Sequence, residues 1–167
     1  MSKNKALNHE YLPIDGNQDF VKGARNLIFG AGSEALKNER VVSTQTISGT
    51  GAVALGMEVV AKFLPREVYI SNPTWANHKS IIQKIGLPMK EYPYYHPKTG
   101  MLDFEGMVNC LKKATAGSVI LLHACAHNPT GVDPTVEQWK EICQVMKANS
   151  LIPFFDSAYQ GFASGSL

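Results

Sequence analysis

Two periodicities alternate along this chain. Five stretches of strand length are β-branched, aromatic or continuously apolar and are bounded by Gly, Pro, Asn or Ser, which predicts strands at 41–47, 67–71, 88–95, 118–123 and 151–156. Between them the apolar residues adopt helical spacing. A helix is expected from Asn17, with Phe20, Val21, Ala24, Leu27 and Ile28 on one side and Gly30 as its stop, and a short one from Ser33. After Ser48-Gly-Thr-Gly-Ala52 the run Val53, Leu55, Met57, Val60, Phe63 and Leu64 predicts a third, and Ala76–Ile85 a fourth. Asp103 caps a fifth, with Phe104, Met107, Val108 and Leu111 as its stripe. Asp133-Pro-Thr135 opens a sixth, which turns Val136, Trp139, Ile142, Cys143 and Met146 inward. Residues 1–15 read as an irregular lead ending in the turn Asp15-Gly16, and Pro97-Lys-Thr-Gly100 as another turn. Strands alternating with helices imply an α/β fold, a mostly parallel sheet flanked by helices, with no internal repeat and no linker.

Composition narrows the function. With 167 residues, 44% hydrophobic and 18% charged, the chain can build one globular core. A net charge of +2 comes from scattered Lys and Arg without a basic stripe, which argues against nucleic acid as a partner. No apolar run reaches the ~18–20 residues of a membrane span. The N-terminus shows neither an apolar signal core nor an Arg-rich amphipathic pattern, so a cytoplasmic location is expected, or a mitochondrial one if a presequence is missing. Cys110, Cys125 and Cys143 have no C-x-x-C spacing, which points to a reducing compartment rather than a disulfide framework. His123 and His127 stand four apart, but the strand before them and the Asn-Pro after them remove the helix that a metal pair would need; they are read as structural, with no metal site.

Polar groups cluster where strands end. His123-Ala-Cys-Ala-His-Asn-Pro-Thr-Gly131 follows the apolar run Val119–Leu122, and Asp156-Ser-Ala-Tyr159 follows Leu151–Phe155. Adjacent strand ends would bring Asn128 and Asp156 together, the amide on a proline-stiffened turn and the carboxylate in need of a cationic partner such as a protonated heteroaromatic nitrogen. Tyr159 offers its phenol to the same place. Ser48, Gly49 and Thr50 open a helix whose free N–H groups suit a phosphate, although such a turn also serves as a plain cap and the spacing is not that of a Walker loop. Trp75, in Asn72-Pro-Thr-Trp-Ala-Asn-His78, reads by itself as a packing anchor, and His78 as a helix cap or surface group. Tyr11 is a surface tyrosine beside Pro13 or something more specific.

The runs Leu121-Leu-His-Ala-Cys-Ala-His-Asn-Pro-Thr-Gly-Val-Asp-Pro134 and Phe154-Phe-Asp-Ser-Ala-Tyr-Gln-Gly-Phe-Ala-Ser-Gly165 closely resemble the aspartate aminotransferases, pyridoxal-phosphate enzymes of fold type I. The similarity extends from Tyr11 to Leu167 and corresponds to an internal part of that family's polypeptide, an incomplete large domain that binds pyridoxal 5'-phosphate. It implies that Asp156 pairs with the pyridinium nitrogen, that Tyr159 and Asn128 meet the phenolic oxygen, and that Trp75 stacks on the ring. It also implies that Ser48, Gly49 and Thr50 hold the phosphate, that Trp75 and Asn128 touch substrate, and that His78 and His123 orient Asp156 and the ring. His9-Glu-Tyr-Leu-Pro-Ile14 resembles the segment whose tyrosine, here Tyr11, reaches the phosphate of the other subunit of a homodimer. The implied reaction moves an amino group between aspartate, or a similar dicarboxylic amino acid, and 2-oxoglutarate.

The family's Schiff-base lysine lies in a Ser-x-x-Lys segment expected beyond Leu167, as do its substrate-binding arginines; Arg25, Arg40 and Arg66 match neither. No catalytic residue is therefore assigned, and the chain by itself is expected to be inactive. The alternatives are a cofactor-binding or interaction fragment without turnover, a pseudoenzyme, and another fold type I reaction such as decarboxylation or β-elimination, which the Asn-Pro-Thr-Gly and Asp-x-x-Tyr pattern disfavours.

Overall fold

Residues 10–64 and 66–165 are described in the computed structural model, and the chain divides into two units, one ending at Ser48 and the other beginning at Gly49. In the first unit, α1 (Gln18–Phe29) starts where Asn17 accepts the Phe20 N–H at 3.0 Å and ends at Gly30, whose φ of 76° only glycine adopts without strain. The short α2 (Glu34–Lys37) is capped by Ser33. Gln45 ties its own segment to the leading turn, donating its backbone N–H to Asp15 and accepting the Asn17 N–H through its side chain at 2.8 Å.

The expected strand at 41–47 is not formed: the segment enters no ladder among the described residues, and Val42 and Ile47 are 98% and 92% exposed. β-propensity expresses fitness for a paired, half-buried surface, and without a neighbouring strand it cannot be realised. Helix α1 forms where expected, but it buries only Val21, while Phe20 and Ile28 of its apolar side remain exposed. An amphipathic stripe is a capacity to pack, and no sheet receives it among the described residues of this unit.

The second unit is built on one sheet. Helix α3 (Ser48–Phe63) leads into β1 (Val68–Asn72), α4 (Ala76–Ile85) and β2 (Met89–Pro93). The chain then makes a small antiparallel hairpin, β3 (Tyr95–His96) with β4 (Met101–Leu102), before α5 (Phe104–Lys113), β5 (Val119–His123), α6 (Val136–Ala148) and β6 (Ile152–Asp156). The predicted strand at 88–95 is thus divided: it leaves the main sheet at Pro93, which has no N–H to donate to a ladder. The order is β2-β1-β5-β6, every pair parallel.

All five residues of β5 are buried, and alternate ones serve opposite faces. Val119 and Leu121 join Val68 and Ile70 under α3 and α4, packing on Val53, Met57, Val60 and Ile82. Ile120 and Leu122 join Tyr69 and Tyr92 under α5 and α6, packing on Met107, Leu111, Ile142 and Met146. Each such aliphatic side chain contributes about 1.5–3 kcal/mol on leaving water. Val136 and Cys143, expected to face inward on α6, are exposed instead, because the sheet meets the helix along Ile142, Val145 and Met146. Helix α3 lies so close to β6 that a Cβ on Gly56 would come within 2.6 Å of the Phe154 ring.

This order contains a switch point. From β1 the chain crosses through α4 to β2, whereas from β5, the neighbour of β1, it crosses through α6 on the other face to β6. The loops leaving the carboxyl ends of β1 and β5 therefore part to opposite faces and open a crevice between them.

Candidate cofactor site

A cavity of about 230 Å³ lies at that crevice, lined by Gly49 and Thr50 of α3, Trp75 after β1, His123, Cys125 and Asn128 at and after β5, and Asp156, Ala158 and Tyr159 at and after β6. Parallel pairing sets His123 beside Asp156, the last residues of their strands. The Asn-Pro bonds that lead out of β1 and into the Asn128 turn are both cis.

Hydrogen bonds behind the cavity run in one direction. The Asn128 N–H lies 3.3 Å from His123 Nδ1, and since an amide N–H can only donate, Nδ1 must accept. Burial, reinforced by the neighbouring His78 ring, pushes the His123 pKa from 6.5 to about 4, so the neutral ring carries its hydrogen on Nε2. From there it donates to Thr74 Oγ1 at 3.0 Å. Thr74 passes its own proton to His78 Nδ1 at 2.8 Å, and His78 Nε2 donates to Asp156 Oδ2, also at 2.8 Å. That last bond is the main reason the Asp156 carboxyl stays below the usual carboxylate range, against a desolvation that would raise it. His78 is fully buried, with the Trp75 ring edge-on to it at 5.2 Å.

His127 occupies a second layer. Its ring stacks on Tyr94 at 3.8 Å between centroids and is held between the hydroxyls of Ser71 at 2.9 Å and Thr130 at 2.8 Å. Burial, then the neighbouring rings of His123 and His78, lowers its pKa to about 3. Both ring nitrogens of His127 and both of His123 are thus engaged in hydrogen bonds.

Of the residues expected at the site, Gly49, Thr50, Trp75, Asn128, Asp156, Tyr159 and His123 line the cavity, and His78 lies directly behind Asp156. Ser48, with φ 64°, is the first residue of α3 and is not among the lining residues. Tyr11 is fully exposed in the first unit and does not line the cavity either, while His9 of its motif lies outside the described residues. Sequence reasoning missed Thr74, which joins the two histidines, and it read Asp133 only as part of a helix start. In the structure Thr135 caps α6, and Asp133 accepts the backbone N–H groups of Ala126 and His127. Neither role has a local signal; Cys125, inside the quoted motif, could have been placed from its neighbours.

A parallel sheet whose switch point holds an ionised carboxylate, an aromatic platform and a helix N-terminus defines a ligand-binding α/β protein of the doubly wound kind. Residues 3–167 match the family described as Aminotransferase class I and II, and the chain belongs to it. It is 54% identical over its whole length to aspartate aminotransferase 1 of Medicago sativa, of which it covers 39%. Among solved structures it is similar to the aspartate aminotransferase of Saccharomyces cerevisiae cytoplasm, with TM-score 0.95 and 47% identity over 98% of this chain and 40% of that one. The aromatic-amino-acid aminotransferase of Burkholderia pseudomallei, covalently bound to pyridoxal phosphate, superimposes with TM-score 0.90 and 41% identity, over 93% of this chain and 39% of that one. The architecture thus matches the fold type I aminotransferases, and the chain spans about two fifths of the length of these relatives.

Proposed function

We propose that this chain is the cofactor-holding part of an aspartate aminotransferase, with pyridoxal 5'-phosphate bound in the cavity between β1, β5 and β6. The observation that carries the reading is the Asp156–His78 pair, a carboxylate held ionised at a strand end in the cavity that also contains Trp75, Asn128 and Tyr159. The donor set fits the group. Asp156 meets a cationic ring nitrogen, and the first N–H groups of α3 at Gly49 and Thr50, with Ser48 beside them, meet a phosphate.

Bound there, the cofactor supplies an electron sink that lets an amino acid release its α-proton and pass its amino group to a 2-oxo acid. The chain's own part is to hold and orient. Asp156 keeps the proton on the ring nitrogen, and the Nε2–H of His78 keeps Asp156 from taking it. Trp75 covers one ring face and excludes water, while Asn128 and Tyr159 hydrogen-bond the phenolic oxygen. Trp75 and Asn128 also bound the space for a dicarboxylic amino acid such as aspartate and for 2-oxoglutarate. Tyr11 serves the phosphate of a second subunit in a homodimer.

By themselves these 167 residues hold the cofactor without turning over. No lysine lines the cavity among the described residues, and none follows Lys147 in the sequence. Among the described residues no lysine stands in the cavity to act as general acid and base, which supports the alternative of a non-catalytic cofactor-binding fragment for the chain taken alone. Cytoplasmic, chloroplastic and mitochondrial relatives all occur. Among the described residues no helix is long and apolar enough to cross a membrane, and the three cysteines are free, which fits a reducing compartment such as the cytoplasm.

The test is a titration of the Trp139→Phe chain with pyridoxal phosphate, which leaves Trp75 as the single tryptophan. Saturable quenching is expected, and its loss in Asp156→Ala. Unsaturable quenching, or equal affinity in both chains, would overturn the reading.

A further inference from the structure

The loop between β5 and α6 departs from the easiest course for its sequence. Ala126 has φ 48°, the left-handed region that a side chain with a Cβ avoids. Two residues later Asn128 must aim its backbone N–H back at His123. What holds this course is Asp133. Its Oδ2 accepts the Ala126 N–H at 2.7 Å, and its Oδ1 accepts the next one, from His127, at 2.9 Å. Charge-assisted bonds to two consecutive amides set the orientation of both peptide planes and so the direction in which the chain enters Asn128. The loop is closed further by Gly131 N–H on the His127 carbonyl and by the Tyr94 hydroxyl on the Val132 carbonyl at 2.7 Å. Neither of these touches the Ala126 peptide. Among the described residues, Asp133 supplies the bonds that reach it.

We propose that Asp133 is a positioning residue: by gripping the Ala126 and His127 amides it keeps the Asn128 N–H on His123 Nδ1 and thereby selects the tautomer of both histidines that lead to Asp156. With Nδ1 of His123 occupied by a donor, its hydrogen stands on Nε2 and is given to Thr74, which leaves the Thr74 hydroxyl hydrogen available to His78 Nδ1. His78 is left with its hydrogen on the Asp156 side. Were the Asn128 N–H to turn away, His123 could carry its hydrogen on either nitrogen, and Thr74 would be free to accept from His78 or donate to it. The direction of the relay is therefore decided at a loop carboxylate that does not line the cavity. The significance for the cofactor rests on the reading of Asp156 given above; the tautomer claim does not.

The experiment is long-range ¹H–¹⁵N NMR on the full chain with ¹⁵N-labelled histidine, without cofactor, for the natural sequence and for Asp133→Asn. Asparagine keeps the shape but turns an NH₂ toward an N–H, so one of the two bonds becomes a repulsion. In the natural chain His123 and His78 are expected to show widely separated ring-nitrogen shifts, with the hydrogen on Nε2. In Asp133→Asn the two shifts of His123, and to a smaller extent those of His78, move toward each other while those of His127 stay apart. A folded Asp133→Asn chain with unaltered His123 and His78 shifts overturns the proposal. Loss of the near-UV signal of the tryptophans would show that this variant does not fold. Asp133→Ala, which removes both acceptors without turning an NH₂ toward the amides, then carries the same test with the same two outcomes. Pyridoxal phosphate titrations of these chains separate the claims: a tautomer change in a chain that never binds cofactor sinks the functional reading and leaves the positioning role standing, and cofactor loss with unchanged tautomers does the reverse.

Discussion

Lowering the pH from 7 to 5 is expected to destabilise the fold through His123 and His127. The two rings are 8% and 1% exposed, and burial is the first cause of their displacement from 6.5 to about 4 and about 3. Folded-state values below the unfolded one mean that the unfolded chain binds protons the folded chain refuses. The stability from these rings is therefore complete above about pH 6.5 and declines as pH falls toward the folded values. At pH 5 the binding ratio amounts to about 2 kcal/mol for each ring. Water reaching the rings from the cavity side reduces this, so about 2 kcal/mol for the pair is expected and about 4 is the ceiling. Asp156 does not contribute in this window: its pKa is held down by His78, so its share is present above the ordinary carboxylate value and is lost only in stronger acid. Urea unfolding at pH 7, 6 and 5 is the assay, and with a slope of about 2 kcal/mol/M the midpoint should fall by roughly 1 M. The double variant His123→Gln/His127→Gln should flatten the dependence. If it keeps the full drop, or if NMR titration places either ring near 6.5, the burial argument is refuted.

Three further outcomes follow from particular contacts. Gly56→Ala gains about 1 kcal/mol of helix propensity but forces its methyl into the Phe154 ring, an overpacking of about 1–3 kcal/mol, so a net loss of about 1 kcal/mol is expected by urea titration. Adding Phe154→Leu should recover part of it, and a stabilised Gly56→Ala would contradict the close approach. Thr135→Ala removes the side-chain half of the capping box with Gln138 at the start of α6, the bond from the Gln138 N–H to Thr135 Oγ1, and should cost about 1 kcal/mol, which Thr135→Asp restores; equal midpoints for the three chains would show the cap to be idle. Borohydride reduction of the pyridoxal phosphate complex, followed by peptide mapping, should yield no single fully labelled lysine, because no lysine lines the cavity among the described residues. One unique stoichiometric site would place the cofactor elsewhere.

Local chemistry determined much of this protein. Asn17, Ser33 and Asp103 cap the helices that their side chains predict, and Gly30 ends the first of them where a left-handed residue is needed. The continuous apolar run of β5 reads as a strand buried on both faces, and it is one. Asn128 and Asp156 were legible as site residues because each follows such a run, and parallel pairing puts strand ends together. What the tertiary structure alone decided concerns which neighbour a residue meets. The stretch at 41–47 has the composition of a strand and, among the described residues, no partner to ladder with, since pairing belongs to two segments and not to one. Thr74 joins His78 to His123, 49 residues apart in sequence from Thr74, only because β1 and β5 lie side by side. Asp133 carries the same local signal whether it opens a helix or grips a loop. Its two amide partners are set by how the chain turns back after β5, a long-range outcome of strand order that no window of sequence contains.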